Sequence, residues 1–231
     1  ALKIPIGWIF KPTAFKHFVG GETLEACQPA VDKLKSANVY SILDYSVEGK
    51  ETEDPLDDAL EKTLEILDFV KKKEAIPFAV FKPTGYGRLA LYEKKGAGVK
   101  LTPAEEAEWD RVVRRYEKTC QKAYDLNVPL LIDAEESWMQ DAADDLVEEM
   151  MRAYNKKAPI VWNTLQMYRW DRMDYLKGLH ERARKHDFKI GIKYVRGAYL
   201  EKENERAEEK GYPTPMCASK QETDAYFNEA I

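Results

Sequence analysis

The stretch Val128-Pro129-Leu130-Leu131-Ile132-Asp133 decides how this chain is read, because four aliphatic residues around a proline make a run too short for a helix, and a carboxylate closes it. Short apolar runs buried on both faces are what a parallel sheet requires. Four more runs repeat the pattern: Val39 to Leu43 before Asp44, Pro77 to Phe81 before Lys82, Pro159 to Trp162 before Asn163, and Ile190 to Ile192 before Lys193. A barrel of parallel strands builds its active site at the carboxyl ends of the strands, so polar residues recurring there read as its floor. Asp44, Lys82, Asp133, Asn163 and Lys193 are therefore expected on one face of a curved parallel sheet.

Helical patterns fill the intervals. Thr102, Pro103 and Glu105 form a capping box with proline at the first helical position. Trp109, Val112, Val113, Tyr116, Cys120 and Ala123 then follow at the spacing of a helix packed on a sheet. Leu56, Leu60, Leu64, Leu67 and Val70 mark a helix before the second strand, and Ala143, Leu146, Val147, Met150 and Tyr154 another after the third. Leu176, Leu179 and Ala183 mark one between the fourth and fifth strands, and Ser219 with Glu222 opens a last one.

This alternation gives an α/β fold, either a doubly wound open sheet or a closed barrel. An open sheet concentrates binding at one switch point, usually beside a glycine-rich turn, whereas here polar residues close all five runs and no GxGxxG occurs. A distorted (βα)8 TIM-type barrel is expected, with about its first five βα units in this chain. Residues 1–38 read as an N-terminal helical segment and 39–231 as the barrel. The chain opens on Ala1 and closes at Ile231 within a helical pattern, which reads as a fragment or a processed piece. Gly85, Gly87, Gly96 and Gly98 bracket a long loop, Pro83 to Lys100, which suits a lid, an insertion or a plain surface loop.

The 231 residues are 44% hydrophobic and 33% charged, enough for one large core. A formal net charge of -5 without a basic block argues against a nucleic-acid partner. Cys27, Cys120 and Cys217 form no CxxC pair, which suits a reducing compartment. No apolar stretch approaches the roughly 20 residues that span a bilayer, and no secretory signal opens the chain, so the reading is a soluble or peripherally membrane-bound protein. His17, His180 and His186 lack ligand spacing, and no metal site is expected. The charge runs Glu148-Glu149 and Glu201 to Lys210 read as solvated helix faces.

Lys82 and Lys193 are long cations at strand ends, able to reach over a barrel mouth toward an anion, and Asp133 suits a partner for either. The same three residues equally suit a structural ion-pair network. Gln166, three residues beyond Asn163, carries an amide that donates and accepts at once, as reading an imide edge requires; a capping amide is the simpler alternative. Lys193-Tyr194-Val195-Arg196-Gly197-Ala198-Tyr199 sets two cations around a short apolar step and then two small residues that let backbone approach a ligand such as a pyrophosphate.

Together these segments resemble the flavin-dependent proline dehydrogenases. The likeness rests on Leu131-Ile132-Asp133-Ala134-Glu135, Trp162-Asn163-Thr164-Leu165-Gln166 and Lys193 to Tyr199, with Lys82 in Phe81-Lys82-Pro83-Thr84, in the family's order, and it runs from about Val39 to Ile231. It implies FAD at the carboxyl face of a barrel and oxidation of L-proline to 1-pyrroline-5-carboxylate, the first step of proline catabolism. It implies Lys82, Asp133 and Lys193 as the catalytic group, and Lys82, Asp133 and Tyr199 around the substrate. It assigns Ala134, Gln166, Lys193, Val195, Arg196, Gly197, Ala198 and Tyr199 to the FAD, with Lys193 where many relatives have arginine. Lysine there gives up a bidentate fork. It further implies a quinone or other membrane acceptor, and a place in the cytoplasm, on the inner face of a bacterial membrane, or on the matrix side of the mitochondrial inner membrane. The family's late pair of carboxylate-gripping arginines has no counterpart in these 231 residues.

Two rivals differ in class. A Schiff-base aldolase would use Lys82 or Lys193 as a neutral amine, which Asp133 opposes by favouring the charged form. A barrel relic serving as a binding module would carry no flavin.

Overall fold

The computed structural model describes residues 19–45 and 49–231. The expectations for His17 and for the first 18 residues of the N-terminal segment lie outside the described residues. The described chain begins with α1 (Leu24–Ser36), whose first turn is closed by Thr23 Oγ1 accepting from the Ala26 N–H at 3.1 Å. α2 (Glu53–Val70) follows. Then β1 (Ala79–Phe81), α3 (Leu89–Gly96), α4 (Pro103–Leu126), β2 (Leu130–Ile132) and α5 (Ser137–Tyr154) build the middle. β3 (Val161–Gln166), α6 (Arg172–His186), β4 (Ile192–Val195), α7 (Leu200–Lys210) and α8 (Lys220–Ala230) complete it.

The four strands lie in sequence order and all pair in parallel. A fifth position is marked by one parallel bridge from Leu43 to Ala79. This is part of a βα barrel, strand following helix in regular succession. Ala79, Leu130, Val161 and Ile132 are inaccessible to solvent and join the main core with Leu67 of α2, Val112 and Tyr116 of α4 and Met151 of α5. Burial of such residues at roughly 25 cal/mol per Å² drives the assembly. A smaller cluster of Leu165, Met167, Met173 and Leu176 seals the far end of the sheet.

Helix limits follow local chemistry. The Thr102–Glu105 capping box forms as read, and α4 stops where Asn127 takes a left-handed φ of 51°. Ser219 accepts from the Glu222 N–H to open α8.

The structure departs from expectation in three strand runs and one loop. Val39 to Leu43 forms a single bridge in place of a strand, with Val39, Tyr40 and Ile42 each 47% exposed. The fourth run does not stop at Trp162: β3 continues to Gln166 because the buried Asn163 amide is satisfied by Asp144 Oδ1 at 2.9 Å and Tyr175 Oη at 3.4 Å on the helix layer. Lys193 likewise lies within β4 and not after it. The stretch Pro83 to Lys100 is neither lid nor bare loop. It holds a 3₁₀ turn, Pro83–Gly85, and then α3, whose Leu91 and Tyr92 are buried.

The charged runs are not wholly solvated either. Glu148 is buried and accepts from Arg152 and Arg182. Glu203, with no accessible surface, accepts from both the backbone N–H and the hydroxyl of Ser137 at 2.6 Å, closing the first turn of α5.

Candidate active site

Register places the polar floor. Phe81 pairs with Ile132, so Lys82 stands beside Asp133, whose N–H donates to the Phe81 carbonyl at 3.0 Å. Continuing the pair Leu131–Trp162 by two residues sets Asp133 beside Thr164, and Thr164 pairs with Lys193. Lys82, Asp133, Thr164 and Lys193 thus form one row across the strand ends, with side chains on the face opposite Phe81 and Ile132 because strand residues alternate. Asp133 takes Lys193 on Oδ1, and its Oδ2 lies 3.8 Å from Lys82 Nζ. Their side chains keep only 16% (Lys82), 18% (Asp133) and 29% (Lys193) of their exposure, enough access for a ligand and enough burial for charge to act strongly.

Two of the five expected floor residues lie off this row. Asn163 points into the helix layer, where Asp144 also takes Gln140 at 2.8 Å and Arg172 at 2.8 Å. Burial raises the Asp144 carboxyl above its ordinary value although Arg172 opposes it. Asp44 stands level with Val80, two residues short of Lys82, since Leu43 bridges Ala79.

Above the floor runs a second row. Glu135 accepts from the Thr84 N–H at 2.8 Å and from the Thr84 hydroxyl at 2.6 Å. Gln166 Nε2 donates to the Glu135 carbonyl at 2.7 Å, and Gln166 Oε1 accepts from the Ala198 N–H at 3.3 Å. Gln166 therefore commits one donor and one acceptor site within the chain, and an amide carries two of each. Ala134 is buried between the two rows.

The turn after β4 is held from β3. Met167 N–H bonds Val195 O and Tyr168 N–H bonds Arg196 O, each at 2.8 Å. Gly197 has φ 131°, and a Cβ there would lie 2.5 Å from the Tyr168 ring. Tyr199 N–H reaches the Tyr168 hydroxyl at 3.3 Å, and burial pushes that phenol up to about 12. The Arg196 guanidinium turns toward α8, donating to Asp224 at 2.5 Å and lying 4.4 Å from the centre of the Phe227 ring. Arg196, Gly197 and Ala198 are exposed, Val195 and Tyr199 partly buried.

The residues fit an anionic, hydrogen-bonding ligand such as FAD. Two ammonium groups share one carboxylate, so the row carries a net positive charge. Thr164 Oγ1, between Asp133 and Lys193, is buried without a hydrogen-bond partner among the described residues. Such a hydroxyl is costly to leave alone. Among those residues no group of three or more His, Cys, Asp or Glu is placed to hold a metal ion, and no helix is long and apolar enough to cross a membrane.

The family model described as proline dehydrogenase matches residues 27–231. The chain belongs to the proline dehydrogenase family. It is 35% identical over 227 residues to the carbapenem antibiotics biosynthesis protein CarD of Pectobacterium carotovorum subsp. carotovorum, covering 98% of this chain and 59% of that protein. It is 28% identical over 269 residues to the mitochondrial proline dehydrogenase 1 of Dictyostelium discoideum, covering all of this chain and 47% of that one. The chain thus spans about half the length of these relatives. Among solved structures, proline utilization A (PutA) from Bdellovibrio bacteriovorus inactivated by N-propargylglycine superposes with a TM-score of 0.78 at 19% identity, over 97% of this chain and 24% of that one. PutA from Corynebacterium freiburgense gives 0.72 at 20% identity, over 98% and 23%. These likenesses carry the fold: the sheet is part of a barrel like theirs.

Sequence reasoning left Glu135, Thr84, Thr164 and Tyr168 without roles. For Thr164 a signal existed: it lies within β3, two residues from Gln166 and so on the same face. Glu135, Thr84 and Tyr168 lie beyond the strand ends, where parity no longer applies.

Proposed function

We propose that the complete protein oxidises L-proline to 1-pyrroline-5-carboxylate, with FAD as hydride acceptor. The observation that carries this reading is the row Lys82–Asp133–Thr164–Lys193, two cations held by one carboxylate at the strand ends of a family barrel. FAD, when bound, would supply a two-electron acceptor for the hydride of Cδ, the ring CH2 next to nitrogen. As the nitrogen loses its proton, the ring C–N bond becomes C=N.

The chain's own part is positioning and charge. Lys82 pairs with the proline carboxylate, and Asp133 keeps Lys82 and Lys193 protonated and aimed. Lys193 and the remaining N–H of Gln166 address the flavin. Ala134, Val195, Gly197, Ala198 and Tyr199 line its path, with Tyr199 also bordering the substrate, and Arg196 contributes charge at the turn. Asp133 in contact with both lysines counts against the aldolase, which needs a neutral amine.

The reading extends to a quinone or other membrane acceptor, met by peripheral contact from the cytoplasmic side or from the matrix side of a mitochondrial membrane. The Dictyostelium relative's name supports the second. CarD is named for a biosynthetic route, so the reaction and not a catabolic setting is the core of the proposal. The test is to incubate the complete protein with L-proline and an artificial acceptor and trap the cyclic imine. Proline-dependent imine formation supports the reading; acceptor reduction without imine, or none at all, removes it.

A further inference from the structure

Glu135 is 1% exposed, and both carboxylate oxygens close on a single residue, Thr84. Thr84 is the middle residue of the turn Pro83–Gly85, and Lys82 is the N-cap of that turn, its carbonyl accepting from the Gly85 N–H at 2.9 Å. The grip therefore falls two residues beyond Lys82, while Glu135 itself lies two residues beyond Asp133. From the other side the Tyr92 hydroxyl donates to Pro83 O at 3.0 Å, and the Glu135 N–H donates to Gln140 Oε1 at 2.9 Å. Through Gln166 and Ala198 the same line of bonds reaches the turn after β4.

A carboxylate is an expensive choice for this place. Burial pushes Glu135 up to about 7, against the pull of the Thr84 bonds, with Glu136 raising it further and Lys82 lowering it. Tyr92 of α3 and Tyr116 of α4 also feel its charge. Merely filling this space would suit an apolar side chain better. What the acid adds is a two-point hold on one turn, and the residue that opens that turn is half of the Lys82–Asp133 pair.

We propose that Glu135 is a positioning residue: locked onto Thr84, it fixes the turn that starts at Lys82 and so sets where the Lys82 ammonium stands relative to Asp133. The hold works through hydrogen bonds. An amide in its place can still accept from the Thr84 N–H and donate to the hydroxyl, whereas a methyl group can do neither.

The experiment compares wild type with Glu135→Gln, Glu135→Ala and Thr84→Val in the complete protein. The first readout is the rate at which an acylating reagent modifies Lys82, followed by peptide mass spectrometry and normalised to exposed lysines; it needs no activity. The expected result is a change of about fivefold or more for Glu135→Ala, a smaller change in the same direction for Thr84→Val, and a rate within about twofold of wild type for Glu135→Gln. The second readout rests on the proposed reaction: KM for proline should rise about tenfold in Glu135→Ala with kcat changing less, and Glu135→Gln should restore it. Unaltered Lys82 labelling in both Glu135→Ala and Thr84→Val, or Glu135→Gln behaving like Glu135→Ala, overturns the proposal. If Glu135→Ala does not fold, Thr84→Val decides by the same labelling criterion. A wild-type protein inert to proline would remove the proposed reaction, and the labelling result would still decide the role of Glu135.

Discussion

Lys193 on β4 and Asp133 beyond β2 are joined by an ion pair that spans β3, and Thr164, the register partner of Lys193, lies on the strand between them. Adjacent strands lie roughly 4.8 Å apart, so the two backbones are about two spacings distant and only a long side chain closes the gap. Lysine has that reach, and the curvature of a barrel sheet shortens it. The pair ties β4 to the end of β2 across β3, whose Thr164 hydroxyl has no hydrogen-bond partner among the described residues.

Asn155 holds the joint between α5, β3 and the approach to β4. Its side chain donates to Val161 O at 2.8 Å and Lys189 O at 3.0 Å, and accepts from the Ile160 and Val161 N–H groups at 2.9 and 2.8 Å. Asn155→Ala leaves buried backbone groups unpaired and should cost about 3 kcal/mol or more. Denaturant unfolding measures this; a loss within about 0.5 kcal/mol would show that water replaces the side chain.

Glu135 gives a pH dependence of definite sign. Its folded-state pKa, about 7, is raised above the ordinary value of 4.5, so its contribution to stability is greatest below 4.5 and is lost as pH rises toward 7. Glu135→Gln removes that penalty, so the variant should gain on wild type between pH 4.5 and 7, by an amount on the order of 3 kcal/mol at most. Melting curves at both pH values test this; a variant that loses ground to wild type as pH rises would contradict it.

Gly197 should tolerate no side chain. Its φ of 131° disfavours any other residue, and a Cβ would meet the Tyr168 ring. Gly197→Ala should cost roughly 1–3 kcal/mol and displace the turn. Lower thermal stability together with a smaller flavin-to-protein ratio is expected; normal values of both would show that the turn adapts.

The strand ends that could be read from sequence were those where an apolar run and a register row coincide, at Lys82 and Asp133. Asn163 misled because a buried amide inside a strand looks like a polar stop until Asp144, nineteen residues earlier on a helix, is seen to satisfy it. Val39 to Leu43 has strand composition, but composition cannot supply the neighbour that would extend its single bridge into a ladder. Glu148 and Glu203 looked solvated because Arg182, the second partner of Glu148, and Ser137, the partner of Glu203, come from other helices. The second row is invisible to pattern reading for the same reason: Thr84 and Glu135 are 51 residues apart.

The central claim is that one carboxylate holds the two cations that serve proline and flavin. It is tested most directly by adding L-proline anaerobically to the complete flavin-loaded protein and following loss of the oxidised flavin band in wild type and in Asp133→Ala. The account predicts rapid bleaching in wild type. It predicts bleaching slower by about a hundredfold in Asp133→Ala at unchanged flavin content and nearly unchanged melting temperature, because the lysines lose their orientation while the core does not depend on them. Bleaching at wild-type speed in Asp133→Ala, or a flavin band in wild type that proline leaves untouched, would contradict it.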